Sequence, residues 1–210
     1  MLHLIGNDCS ATEDEVLRAM FAARKEVFVD LLGWDVPVLG GRFEVDQFDD
    51  EHAIYLVVTD TGGRHRASAR LLPTTRPHIL ADLYAGLCAG AVPRGPGTYE
   101  VTRFCLDRHA DARDRREARD QLVIALADFA LANGIARYTG VAEAAWLRQI
   151  LAFGWRSYKL GDPQRIEGRE LGALAIEIDR DTPRLLAEAG IGQTASASAP
   201  APAPELHHAL

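Results

Sequence analysis

Four groups of polar and aromatic residues interrupt stretches that otherwise read as core or loop. Arg24, Phe28 and Trp34 fall within eleven residues. A guanidinium takes a carboxylate through paired hydrogen bonds, and aromatic faces stack on a planar group or attract a cation. The segment Glu44-Val45-Asp46-Gln47-Phe48-Asp49, continued by Asp50 and Glu51, is acidic with one aromatic interleaved. Its carboxylates suit the neutralisation of arginines or of a bound cation. Arg70 stands inside the apolar run Ala69-Arg70-Leu71-Leu72, where it must face solvent or be paired. Glu100, Thr102, Arg103 and Phe104 share one short segment read as a central strand, where Glu100 and Arg103 would be costly if buried alone. Each group has an ordinary structural reading when taken singly: a surface arginine beside core aromatics, a solvated acidic loop, an outward strand arginine.

The elements that must position these residues follow from periodicity. Apolar residues from Val16 through Phe28 to Leu31 recur at helical spacing, so a helix is predicted over 15–31 with Ser10 or Thr12 as its cap. Gly33, Pro37, Gly40 and Gly41 then mark a loop through 33–52. Residues 53–59 and 65–72 read as a hairpin around Asp60-Thr61-Gly62-Gly63. A short helical turn is predicted near 79–84. Strands are predicted at 98–106, 135–141 and 173–178, and helices at 117–133 and 143–153. Alternation along 98–106 puts Glu100, Thr102 and Phe104 on one face and Val101, Arg103 and Cys105 on the other. Strands alternating with helices predict an α/β protein, a three-layer α/β/α sandwich around a mixed central sheet. The domain is expected to span 1–192. The low-complexity stretch from 193, with His207 and His208, reads as a disordered tail.

In order and spacing, the four groups resemble the acyl-homoserine-lactone synthases, the autoinducer synthases of bacterial quorum sensing, over roughly residues 1–180. That family carries Arg-x-x-x-Phe, here Arg24 and Phe28, then a Trp, here Trp34. A Glu-x-Asp-x-Phe/Tyr-Asp segment follows, here Glu44 to Asp49, then a strand arginine, here Arg70, and Glu-x-Ser/Thr-Arg, here Glu100 to Arg103. The resemblance implies a fold similar to the N-acyltransferase superfamily. It implies S-adenosylmethionine as co-substrate, with no separate cofactor, and an acyl thioester on acyl carrier protein or coenzyme A. By this resemblance Arg24, Phe28, Trp34 and Arg103 line the S-adenosylmethionine site. Asp46, Asp49, Arg70, Glu100 and Arg103 form the charge network around it. Glu100 is the candidate base, acting through water, and Thr102 contacts the acyl carbonyl. Thr139 matches a position where a hydroxyl accompanies 3-oxo-acyl preference, although it also reads as a plain strand threonine. Phe104, Val141, Trp146 and Leu151 are candidate walls of the acyl pocket. For Trp146, Leu147, Ile150 and Leu151, packing in the core is the alternative.

Composition narrows the classes. The 210 residues carry 23 Lys+Arg against 30 Asp+Glu, a formal net charge of −7, which argues against non-specific nucleic-acid binding. Only Lys25 and Lys159 are lysines. Arg113, Arg115, Arg116, Arg119, Arg148, Arg156 and Lys159 are candidates for a basic face toward an acidic carrier protein. Cys9, Cys88 and Cys105 are widely spaced and odd in number, so neither a disulfide framework nor a zinc site is indicated. No signal peptide and no membrane span is read, and the expected location is the cytoplasm. Two rival functions stay in view. An acetyl-CoA-dependent N-acetyltransferase needs an Arg/Gln-x-x-Gly-x-Gly/Ala loop after the Glu100 strand, and those letters occur only at Arg137 to Ala142, one strand late. A ligand-sensing module would bind in the same pockets without turnover.

Overall fold

The computed structural model describes residues 1–6 and 10–192; the expected tail lies outside the described residues. The chain begins with β1 (Leu2–Ile5) and α1 (Ala11–Arg24). Ser10 caps α1 in a capping box: its hydroxyl accepts the Glu13 amide at 3.3 Å, and the Glu13 carboxylate accepts the Ser10 amide at 2.7 Å. The predicted helix does not run on as an α-helix to Leu31. From Lys25 to Leu31 it widens into a π-helix. That wider turn, with the Trp34 amide donating to the Phe28 carbonyl at 2.8 Å, brings Trp34 back over Phe28.

A small hairpin, β2 (Val38–Leu39) and β3 (Phe43–Glu44), sits within the segment predicted as loop. The main sheet follows with β4 (Ile54–Thr59) and β5 (His65–Pro73), then the one-turn α2 (Ile79–Asp82), β6 (Thr98–Leu106) and α3 (Ala112–Ala132). It is completed by β7 (Arg137–Glu143), α4 (Ala144–Leu151), β8 (Arg156–Lys159), β9 (Gln164–Ile166), β10 (Arg169–Glu177) and α5 (Thr182–Glu188). Strand order is β1-β4-β5-β6-β7-β10-β8, with β9 on β10. The β6–β7 pair is parallel and the other pairs antiparallel, so the sheet is mixed as predicted.

Side chains alternate between the two faces. Leu56, Val58, Ala67, Ala69 and Leu71 pack with Leu122, Val123 and Leu126 of α3, Leu147 of α4 and Leu186 of α5. On the other face Tyr55, Val57 and Leu72 meet Val16 and Met20 of α1 and Ile79 of α2. Three layers result, each helix hiding an apolar stripe against the sheet.

Two irregularities create room in the middle of that sheet. In β6, Arg70 pairs with Thr102 but Ser68 pairs with Cys105, so Arg103 and Phe104 together oppose Ala69. Arg103 takes a left-handed backbone, φ 51°. This is a β-bulge, and it reverses the alternation beyond it. The expectation that Phe104 shares a face with Glu100 and Thr102 is therefore corrected. Phe104 packs with Val101 on the α3 side. The second irregularity is the short β6–β7 ladder, which ends at Glu100 opposite Thr139 although both strands continue.

Candidate active site

The acidic segment and the three separated arginines meet between α1 and the sheet. Arg24 donates from Nε to Glu44 at 2.5 Å and from both Nη atoms to Asp49 at 2.8 Å. Arg70 clasps Asp46 at 2.6 and 3.0 Å, reaches Asp49 at 2.7 Å and donates from Nε to the Thr102 hydroxyl at 2.9 Å. Arg103 spans Glu44 at 2.9 Å and Asp46 at 2.6 Å. Three guanidinium groups thus meet three carboxylates, and Tyr55 adds a hydroxyl bond to Asp49 at 2.9 Å. Arg24, Arg70 and Glu44 have no exposed surface; such burial is tolerable only because every charge is paired.

The titration behaviour follows. Burial works to raise the Asp49 pKa, but the hydrogen bonds and charge of Arg24 and the charge of Arg70 outweigh it, and the carboxyl is held well below its usual range. Asp46 is lowered in the same way: burial opposes, and Arg70 and Arg103 prevail. Glu100, expected in the charge network, is corrected: it makes no ion pair among the described residues and stands outside this pairing. Burial pushes its pKa up to about 8, against weaker lowering by the backbone amide of Leu80 and the charge of Arg70. Its Oε1 accepts the Leu80 amide at 3.0 Å, and Oε2 has no hydrogen-bond partner among the described residues.

Two cavities flank the opened part of the sheet. The first, about 450 Å³, is bordered by Trp34, Phe48, Tyr84, Glu100, Glu143 and Arg169, among others. The second, about 390 Å³, is largely apolar and includes Phe28, Phe104, Thr139, Trp146 and Phe153 in its walls. Trp34, Thr102, Arg103, Val141, Ala142 and Glu143 border both. The β6 bulge and the abandoned β6–β7 ladder therefore place one shared partition between a polar hollow and an apolar one. Trp34 anchors that partition. Its ring stacks on Phe28 at 4.7 Å, its indole N–H donates to Glu143 at 3.3 Å, and Arg103 and Arg169 stand 5.8 and 5.6 Å from the ring centre.

The predicted residues divide accordingly. Asp46, Glu100, Thr102, Arg103, Trp34 and Val141 border the polar cavity. Phe28, Phe104, Thr139 and Trp146 border the apolar one, with Trp34, Thr102, Arg103 and Val141 common to both. Three expectations are corrected. Arg24, expected to line the S-adenosylmethionine site, is sealed behind the ion network and borders neither cavity. Phe28 lies on the apolar side and supports Trp34 from behind. Leu151 packs against the core cluster of α3 and α4 instead of walling the acyl cavity. Arg70 and Asp49 also lie behind the cavity walls, as braces. Arg137 to Ala142 lies within β7 and not in a loop before a helix, so its match to a pyrophosphate loop is coincidental.

Sequence reading missed Glu143 and Arg169. Arg169 follows the Glu167-Gly168 turn of the β9–β10 hairpin, where both turn residues have positive φ, 50° and 82°. The glycine was the available signal. Of the basic residues considered for docking, Arg119 is tied to Asp120, and Arg156 to Asp179 and Asp181. Arg113, Arg116, Arg148 and Lys159 are exposed on α3, α4 and β8, and Arg115 borders the mouth of the apolar cavity.

The family model described as autoinducer synthase matches residues 8–186. The chain belongs to the autoinducer synthase family. Among the synthase's relatives is the acyl-homoserine-lactone synthase of Ralstonia nicotianae, 35% identical over 173 residues, covering 80% of this chain and 84% of that one. The isovaleryl-homoserine lactone synthase of Bradyrhizobium diazoefficiens is 30% identical over 185 residues, covering 87% and 82%. Among solved structures, the CoA-dependent acyl-homoserine lactone synthase BjaI with SAM and isopentyl-CoA superposes with TM-score 0.80 at 31% identity, covering 91% of this synthase and 90% of that chain. A likeness to a putative N-acetyltransferase from Lactobacillus plantarum, TM-score 0.59 at 16% identity, shows the shared fold.

Proposed function

We propose that this autoinducer synthase transfers an acyl group from a thioester to the amine of S-adenosylmethionine and then closes the homoserine lactone with release of methylthioadenosine. The single observation that carries the reading is the partition: a polar, aromatic cavity and an apolar cavity meet at Thr102, Arg103 and Val141. S-adenosylmethionine brings a carboxylate, a sulfonium cation and an adenine, which suit the first. An acyl chain suits the second, among Phe104, Trp146 and Phe153.

In the first step the amine attacks the thioester carbonyl. The new C–N bond replaces the C–S bond, the sulfur leaves as thiolate, and the amine proton passes through water to Glu100, which then returns it to the thiolate. A buried carboxylate with its pKa near 8 is a far stronger base than an exposed one. Thr102, bonded to Arg70 and bordering both cavities, is the contact we assign to the acyl carbonyl. In the second step the methionyl carboxylate forms a C–O bond as the C–S bond to sulfonium breaks, and neutral methylthioadenosine departs. The charge network holds Arg103 and the partition in place for both steps. No further cofactor enters this scheme.

The Thr139 hydroxyl, buried and without a hydrogen-bond partner among the described residues, suits a 3-oxo group on the acyl chain. We read the donor as an acyl carrier protein, whose acidic surface fits exposed Arg113, Arg116, Arg148 and Lys159, with coenzyme A as the alternative. The reaction belongs in the cytoplasm, where both substrates are made; no described helix is long and apolar enough to cross a membrane. The test is incubation with S-adenosylmethionine and parallel panels of acyl carrier-protein and acyl-CoA thioesters, with products identified by mass spectrometry. A lactone plus methylthioadenosine is expected. Neither product with any donor refutes the reading, and the better donor panel identifies the carrier.

A further inference from the structure

The polar cavity presents a charge problem that the network does not solve. Asp46, Glu100, Glu143 and Glu167 all border it, so a ligand carboxylate entering there needs a dedicated cation. Arg103 cannot serve fully, because its Nε and Nη2 are committed to Glu44 and Asp46 at 2.6–3.2 Å. Arg169 differs. Among the described residues its one hydrogen bond runs from Nη2 to the Gly33 carbonyl at 3.0 Å, and its Nε makes only a long ion pair with Glu143 at 3.9 Å, outside hydrogen-bond reach. The side chain is 36% exposed, and it lies over the Trp34 ring, which fixes its direction. The tight β9–β10 turn fixes its Cα.

We propose that Arg169 receives the methionyl carboxylate of S-adenosylmethionine and holds it as the nucleophile for lactone closure. This rests on the polar cavity being the site of that substrate. A guanidinium already anchored at one nitrogen to a backbone carbonyl keeps other N–H groups for a carboxylate at little loss of side-chain freedom. Glu143, between Trp34 and Arg169, then faces the positive portion of the same ligand.

The test compares Arg169→Gln and Arg169→Lys with the wild type, measuring calorimetric affinity for S-adenosylmethionine and for methylthioadenosine, which lacks the carboxylate. Melting temperatures check that each variant folds. Arg169→Gln is expected to weaken S-adenosylmethionine at least tenfold while methylthioadenosine stays within threefold, with Arg169→Lys intermediate. The KM for S-adenosylmethionine should rise and that for the acyl donor should not. Equal weakening of both ligands would make Arg169 a prop for Trp34 and overturn the proposal; so would unchanged affinity for both. Failure of the wild type to form lactone would instead sink the functional reading itself, which separates the two ideas.

Discussion

Replacing Arg24 with methionine keeps an unbranched apolar stem and deletes one cation from a neutral, buried cluster. Three hydrogen bonds vanish, one to Glu44 and two to Asp49. Removing one partner of a buried pair costs about 3–5 kcal/mol, because the other charge is left without compensation. The low end applies here: Asp49 keeps Arg70, the Tyr55 hydroxyl and the Asp46 amide, and Glu44 keeps Arg103. At roughly 2–4 °C per kcal/mol for a domain of this size, a loss of about 3 kcal/mol lowers Tm by roughly 6–12 °C. The pH dependence carries a sign. In the wild type the depressed Asp49 pKa contributes stability that is present above the ordinary aspartate range and is lost as pH falls through the folded value. The variant loses Arg24's share of that contribution, so the Tm gap should be widest above about pH 5 and narrow toward acid. Differential scanning calorimetry between pH 2 and 8 measures it. A second substitution, Asp49→Asn on the Arg24→Met background, should cost less than Asp49→Asn alone. A Tm within 2 °C of wild type at pH 7, or strictly additive substitutions, would refute the account of the network as a mutually compensated unit.

Glu100→Gln should lower kcat roughly 10²–10⁴-fold and abolish the climb in wild-type rate that levels off near pH 8; a pH–rate profile of both proteins decides it, and full turnover in the variant would exclude Glu100 as the base. Because the folded pKa of Glu100 lies above its unfolded value, wild-type stability should decline as pH rises from the ordinary glutamate range to about 8, and Glu100→Gln should flatten that decline in chemical denaturation. Thr139→Val should reduce the preference for 3-oxo over unsubstituted donors by about 1 kcal/mol, roughly fivefold; an unchanged ratio of kcat/KM values would end that idea. Ser10→Ala breaks the capping box at a residue that borders neither cavity and should cost about 0.5–2 kcal/mol of stability with both KM values unaltered, as melting and steady-state rates will show.

Much of the architecture was legible locally. The β-rich runs at 54–59 and 98–106, the Gly-containing turn at 60–63 and the Ser10 cap announce themselves through propensity and short-range hydrogen bonding. Elements without such signals were missed. β1 is four residues long, β8 and β9 are shorter than or equal to that, and α5 spans seven; each is stabilised by its place in the sheet or against α3 and not by its own pattern.

Part of the site was legible in the sequence: Arg70 in an apolar strand must face solvent or be paired, and the family resemblance grouped it with Arg103, Asp46 and Asp49 in one charge network. Which of them would face a ligand was settled only in three dimensions. A single left-handed residue, Arg103, reverses the parity of β6 and sends Phe104 to the far side of the sheet. The π-helical turn after Arg24 carries Trp34 to the border of two cavities while Arg24 itself is walled in. Glu143 and Arg169 join the wall from 109 and 135 residues beyond Trp34 along the chain. Composition and spacing determine which charges need partners; the long-range pairing of strands, and where that pairing stops, decides which of those charges a substrate meets.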